Sequence, residues 1–146
     1  MSSVEKIIIK STAFKNGGEI PSLYTCDGHD IVPDLEWNAV KDANYYAIKV
    51  DDPDVPNGVW VHWLTINIPF RKLAIDAGEP AGEAILNSFG FPNYGGPCPP
   101  SGTHRYFFRV YAFKEELMDV SMENFEEKIK GKVIAYGEIM GTYTRK

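Results

Sequence analysis

The sequence predicts a mainly β protein, on three observations: five stretches rich in Ile, Val, Thr and aromatic residues, segments of Gly, Pro and Asn between them, and only two stretches with helical spacing. The first strand covers residues 4–11 around the apolar run Ile7, Ile8 and Ile9, and the second covers 45–51. The third covers 60–68, where period-2 alternation puts Trp60, His62, Leu64, Ile66 and Ile68 on one face and Val61, Trp63, Thr65 and Asn67 on the other. Residues 81–88 read as a helix. The Gly and Pro cluster at 90–102 reads as an ordered loop, because proline fixes φ and removes a backbone donor. A fourth strand at 105–113, extended back to His104, aligns His104, Tyr106, Phe108, Val110 and Ala112 on one face. A second helix is predicted at 121–130, where Met122, Phe125 and Ile129 share a face and Gly131 follows as a stop, and a fifth strand at 132–144.

At 146 residues the chain is the size of one domain, taken as 1–146, with 44% hydrophobic and 24% charged residues in the range of a folded protein. A net charge of -5 and a pI near 5.2 argue against a nucleic-acid surface, which needs clustered Lys and Arg. The mixed run at 115–130 reads as a solvated helical face. Residues 1–10 hold only a short apolar run, too short for a signal peptide or a membrane span, so the expected location is cytoplasmic. Cys26 and Cys98 fit no metal-ligand spacing; free buried thiols are the default, with a disulfide between them left open.

Chemistry concentrates near His62 and His104. A lone histidine on an apolar face is ordinarily a satisfied core residue, but Asp51, Asp52 and Asp54 close the second strand just before the chain returns through His62. If strands two and three form an antiparallel pair, Asp52 and His62 lie at the same sheet edge. Turn formation is the competing use of these aspartates, since Asp before Pro suits a tight turn. A carboxylate beside an imidazole favours its charged form, and such a pair at the mouth of an apolar cavity makes an anion receptor. The loop at 95–102 is expected to add backbone donors.

Four motifs occur in order: Asp52-Pro53-Asp54-Val55-Pro56, Trp60-Val61-His62-Trp63, Gly96-Pro97-Cys98-Pro99-Pro100 and Gly102-Thr103-His104-Arg105-Tyr106. With Tyr24-Thr25-Cys26-Asp27-Gly28 and Gly141-Thr142-Tyr143-Thr144-Arg145, the chain resembles the short bacterial and archaeal branch of the phosphatidylethanolamine-binding protein family. That resemblance implies a large central antiparallel sheet, a second smaller sheet, one or two short helices, and an end pocket for phosphate-like and carboxylate anions. The residues it carries over are Asp52, Pro56, Trp60, His62, Gly96, Pro99, Pro100, His104 and Tyr106. It implies no cofactor, metal or catalytic residue. The expected partners are a phosphorylethanolamine-like headgroup or the acidic or phosphorylated side chain of a kinase or serine protease, with a homodimer also in view. Two departures stand out: Asn57-Gly58-Val59 has no room for the tyrosine that animal members place before the tryptophan, and no C-terminal helix follows Arg145 and Lys146.

Two other chemistries compete. One is a hydrolase using Cys98 or Ser101 with His104, and the other is a two-histidine, one-carboxylate metal site from His62, His104 and Asp52. Trp37, Trp63, Phe107, Tyr111 and Phe113 read as core or sheet-face aromatics, and His29 as an exposed loop residue.

Overall fold

The computed structural model describes residues 4–145; Met1, Ser2 and Ser3, which begin the stretch read above as lacking a leader, and Lys146 lie outside it. Nine strands occur in chain order: β1 (Glu5–Lys6), β2 (Ile9–Lys10), β3 (Leu35–Trp37), β4 (Tyr45–Asp52), β5 (Trp60–Pro69), β6 (Ala74–Ile75), β7 (Glu83–Ile85), β8 (Gly102–Phe113) and β9 (Val133–Arg145). One α-helix, α1 (Phe125–Ile129), and a 3-10 turn at Ser22–Tyr24 complete the set. The large sheet has the order β1-β9-β8-β4-β5-β7, and β2-β3-β6 form the small one. The large sheet is antiparallel from β9 to β7, while β1 adds a parallel edge pairing beside β9. Among the described residues no helix is long and apolar enough to cross a membrane.

The first predicted strand divides at Ile7 and Ile8, so that β1 joins the large sheet and β2 the small one. Buried Ile7 ties the crossing by donating its N–H to the Tyr136 carbonyl at 2.8 Å. The predicted helix at 81–88 is instead β7, whose Glu83, Ala84 and Ile85 pair with Ile66, Thr65 and Leu64 of β5. Gly82 explains the choice: it weakens any helix, and its positive φ of 55° turns the chain against β5, where the Thr65 hydroxyl donates to the Ala81 carbonyl. The second predicted helix is shorter than 121–130. Ser121 and Asn124 exchange side-chain-to-backbone hydrogen bonds ahead of it at 2.8 and 3.1 Å, Phe125 and Ile129 are buried, and Gly131 takes φ 74° just beyond it.

The large sheet separates two hydrophobic clusters. Tyr46, Ile48, Val50, Tyr106, Phe108 and Val110 lie in the cluster that also holds Leu35 and Ile75 of the small sheet, whereas Ala47, Leu64, Tyr111 and Phe113 share the other with α1. The face predicted for β8 is therefore observed. On β5 strict alternation fails, because Val50 pairs with Trp63 and Asp51 with Val61, which leaves His62 as the extra residue of a bulge. A second irregularity near Asn67, at φ 55°, shifts the phase again. Leu64 and Ile66 consequently pack beside α1, and Trp63 and Ile68 on the opposite face.

Candidate functional site

Asp52 ends β4 opposite Trp60, is 2% exposed, and uses its two carboxylate oxygens for different tasks. Oδ1 accepts the Asp54 N–H at 2.7 Å, which is the turn role, while Oδ2 lies 2.6 Å from His104 Nδ1. An ionised carboxylate only accepts, so His104 carries its proton on Nδ1 in that contact. The turn itself is braced by Asp54, which takes a bidentate pair from the Arg105 guanidinium at 2.8 and 3.0 Å and the Arg105 N–H at 2.9 Å. That hydrogen bonding holds the Asp54 carboxyl below its ordinary range.

His62 is 3% exposed and faces the same cavity. Its Nδ1–H donates to the Gly95 carbonyl at 2.6 Å, and the Gly95 N–H returns to the His62 carbonyl at 3.0 Å. Burial lowers the His62 pKa below its ordinary value of 6.5, a loss the Gly95 carbonyl only partly offsets. The ring is therefore neutral at pH 7, with a lone pair on Nε2. Tyr106 stands between the two imidazoles, with ring centroids 5.3 Å from His62 and 6.4 Å from His104. Its hydroxyl is buried without a hydrogen-bond partner among the described residues, and burial pushes the phenol pKa well up. Neither Nε2 has a partner among them.

These groups line a cavity of about 390 Å³ whose walls are otherwise apolar: Val55, Pro56, Trp60, Cys98, Pro99 and Pro100. Eight of the nine residues carried over from the motifs converge here: Asp52, Pro56, Trp60, His62, Pro99, Pro100, His104 and Tyr106. Gly96 does not. Its N–H donates to Asp30 Oδ1 at 2.7 Å, and a Cβ there would come within 2.3 Å of the Tyr24 carbonyl, so its smallness serves packing behind the wall. Val55 and Cys98 join the lining unannounced, although both sit inside the quoted motifs.

The structure corrects three expectations. Cys26 and Cys98 are joined in a disulfide across 72 residues rather than free, and while that bond stands Cys98 offers no thiolate to a hydrolase. Ser101 is exposed and bonds to neither histidine among the described residues. Backbone donors from the 95–102 loop are largely spent or absent: Gly95 serves His62, Gly96 serves Asp30, and Pro97, Pro99 and Pro100 carry no N–H. As for a metal, no three His, Cys, Asp or Glu side chains among the described residues are gathered closely enough to hold an ion, and His62 has turned Nδ1 to a carbonyl.

A second charged region occupies the opposite face. Asp51 is 2% exposed and takes a bidentate pair from Arg109 at 2.8 and 3.0 Å, with Lys49 Nζ at 3.8 Å. Arg109 also donates to the Tyr136 hydroxyl at 2.7 Å and to Glu138 at 3.0 Å, and Lys49 to Glu126 at 2.7 Å. The cavity beside them, at about 690 Å³, is larger than that at Asp52.

A family model described as Phosphatidylethanolamine-binding protein matches residues 10–144. The UPF0098 protein of Methanothermobacter thermautotrophicus is 40% identical over 149 residues, covering 94% of this chain and 98% of its own. Its counterpart in Aquifex aeolicus is 40% identical, with 92% and 86% covered. Among solved structures, a phosphatidylethanolamine-binding protein homologue from Chlamydia trachomatis, CT736, superposes with a TM-score of 0.90 at 34% identity over 97% of this chain and 99% of its own. YbcL of E. coli, described as a member of the mammalian PEBP family, superposes with a TM-score of 0.87 at 29% identity over 96% and 99%.

Proposed function

The chain belongs to the phosphatidylethanolamine-binding protein family, and from that premise we propose that its Asp52, His62 and His104 pocket binds small phosphate- or carboxylate-bearing ligands without transforming them. The observation that carries this reading is the buried Tyr106 hydroxyl, which has no partner among the described residues and stands between two imidazoles whose Nε2 atoms are also unpartnered. A buried unsatisfied polar group costs about 1–3 kcal/mol, which a ligand oxygen recovers by accepting from the hydroxyl. The apolar walls strengthen each such contact by excluding water.

The neutral state of His62 sets the chemistry of capture. Its Nε2 accepts, so it takes the acidic proton of a phosphate monoanion or carboxylic acid, or it becomes protonated as the anion enters. Binding is accordingly coupled to proton uptake. His104, anchored by Asp52 through Nδ1, presents its other nitrogen to the same ligand. The arrangement of both clusters on one shared sheet supports treating 1–146 as one binding domain.

Titration calorimetry with O-phosphorylethanolamine tests the proposal. His62→Ala and His104→Ala are each expected to weaken binding by roughly 1.5–3 kcal/mol, the range for a lost charge-assisted hydrogen bond. Wild-type affinity in both variants would put the ligand elsewhere. A protein partner presenting an acidic or phosphorylated side chain, such as a kinase or serine protease, is a second reading, favoured by the exposed Trp60, Phe89 and Phe91 beside the pocket.

A further inference from the structure

We propose that the Cys26–Cys98 disulfide is a thiol-exchange site in the pocket wall, at which a thiol attacks Sγ of Cys26 and Cys98 departs as a thiolate, loosening the wall. The two sulfurs are not equivalent. Arg145 Nη1 lies 3.4 Å from Cys98 Sγ, while Nη2 of the same guanidinium pairs at 3.1 Å with Asp27, the residue after Cys26. A neighbouring cation lowers a thiol's pKa, and the sulfur with the lower pKa is the better leaving group. Both cysteines are half-buried rather than sealed in the core, so a thiol has a route to the bond. Where thiols are kept reduced, disulfides are mostly transient, catalytic or redox-sensing.

The exchange balances with two thiols. The first thiolate forms a mixed disulfide with Cys26 as the bond to Cys98 breaks and Cys98 keeps the electron pair. A second thiolate attacks the incoming sulfur of that mixed disulfide, releasing the oxidised reagent and leaving Cys26 as a thiolate. Two electrons pass from the reagent to the protein.

The disulfide also stands where opening it matters. On its upstream side the wall is tied to the 22–30 loop three more times: Tyr94 hydroxyl to Tyr24 carbonyl at 2.9 Å, Gly96 N–H to Asp30 at 2.7 Å, and Cys26 N–H to Pro97 carbonyl at 3.2 Å. Pro99 and Pro100, just downstream, line the cavity with Cys98, and no hydrogen bond joins these two prolines to that loop among the described residues. The bond through Cys98 is the last tie before them. This consequence rests on the anion-binding reading; the exchange chemistry does not.

Oxidised protein exposed to glutathione, quenched with acid and mapped by mass spectrometry, tests the exchange. Glutathione is expected on Cys26, and Arg145→Gln, which retains the disulfide, is expected to slow opening by about tenfold. Glutathione found chiefly on Cys98, an unchanged rate in Arg145→Gln, or opening only at the rate of global unfolding overturns the proposal. For the wall, inorganic phosphate is titrated into oxidised protein, protein reduced with dithiothreitol, and reduced protein reoxidised as a folding control. Reduction is expected to weaken binding by about tenfold and reoxidation to restore it, whereas equal affinities in the two redox states refute the coupling. Oxidised protein that ignores phosphate overturns the anion reading instead, and the glutathione position still decides the exchange site.

Discussion

Asp51 and Asp52 are neighbours in sequence and both are 2% exposed, yet they end on opposite faces of one sheet and in opposite circumstances. Asp51 is met by Arg109 and Lys49, which are met in turn by Tyr136, Glu138 and Glu126, so the charges of that region are partnered. Asp52 is also satisfied, but the groups around the cavity it lines are not: Tyr106 and the outer nitrogens of His62 and His104 are without hydrogen-bond partners among the described residues. The cavity at Asp51 is the larger, at about 690 Å³ against about 390 Å³. Volume therefore points to one face, and unmet hydrogen-bonding capacity beside a cavity points to the other, which is the face proposed to bind. A buried network that closes on itself is structural; one that stops short has something left to bind.

Four measurements separate the two faces. The largest expected effect concerns what stiffens the pocket side, where the link is covalent: Cys26→Ala with Cys98→Ala opens a loop spanning 72 residues and should lower stability by about 4 kcal/mol on chain-entropy arguments. A melt should show a drop of roughly 10–15 °C. On the other face the link is ionic. Asp51→Ala strands Arg109 and Lys49 and should cost about 3 kcal/mol in chemical denaturation, with O-phosphorylethanolamine affinity unchanged. A loss of binding there would merge the two regions into one site.

Two tyrosines give a closer contrast. Tyr136→Phe removes a hydroxyl that bonds to Arg109 and Glu138 and should destabilise by about 1 kcal/mol. Tyr106→Phe removes an unpartnered buried hydroxyl, so it should leave stability unchanged or raised while weakening phosphate binding by about fivefold. Matching losses of stability in the two variants would mean that Tyr106 is satisfied after all.

The smallest effect is a pair of opposed pH dependences. Because burial holds the folded pKa of His62 below 6.5, the unfolded chain binds the extra proton first as pH falls, so this residue's contribution to stability is complete above about 6.5 and declines below it. Phosphate affinity should move the other way and rise as pH falls through that range, since capture takes up a proton. Urea melts and calorimetric titrations at pH 5.5 to 7.5, intervals chosen to span roughly one unit on either side of an ordinary histidine, should slope in opposite directions.

Much of this was legible in the residues. The alternation along β8 placed His104 and Tyr106 on the correct face because that strand pairs without interruption up to Ala112. On β5 the same count misplaced Leu64 and Ile66, because a bulge is a difference in residue number between two paired strands and cannot be seen in one of them. Strands β3 and β6, of three and two residues, are too short for any period to register. Carrying Gly96 into the pocket assumed that a motif residue lines the cavity, whereas its backbone is turned to Asp30 and packs behind the wall. The opposition of Asp51 and Asp52 follows from period 2, yet which face was closed depended on Arg109, 58 residues away. The disulfide was equally out of reach, since separation along the chain says nothing about separation in space.

An anion held between the two outer imidazole nitrogens is read directly by nitrogen-detected NMR of the histidine side chains during a phosphate titration. The Nε2 resonances of His62 and His104 should shift together and saturate at one dissociation constant, with His29, in the exposed 22–30 loop, unmoved. Phosphate binding that leaves both resonances where they began would contradict it.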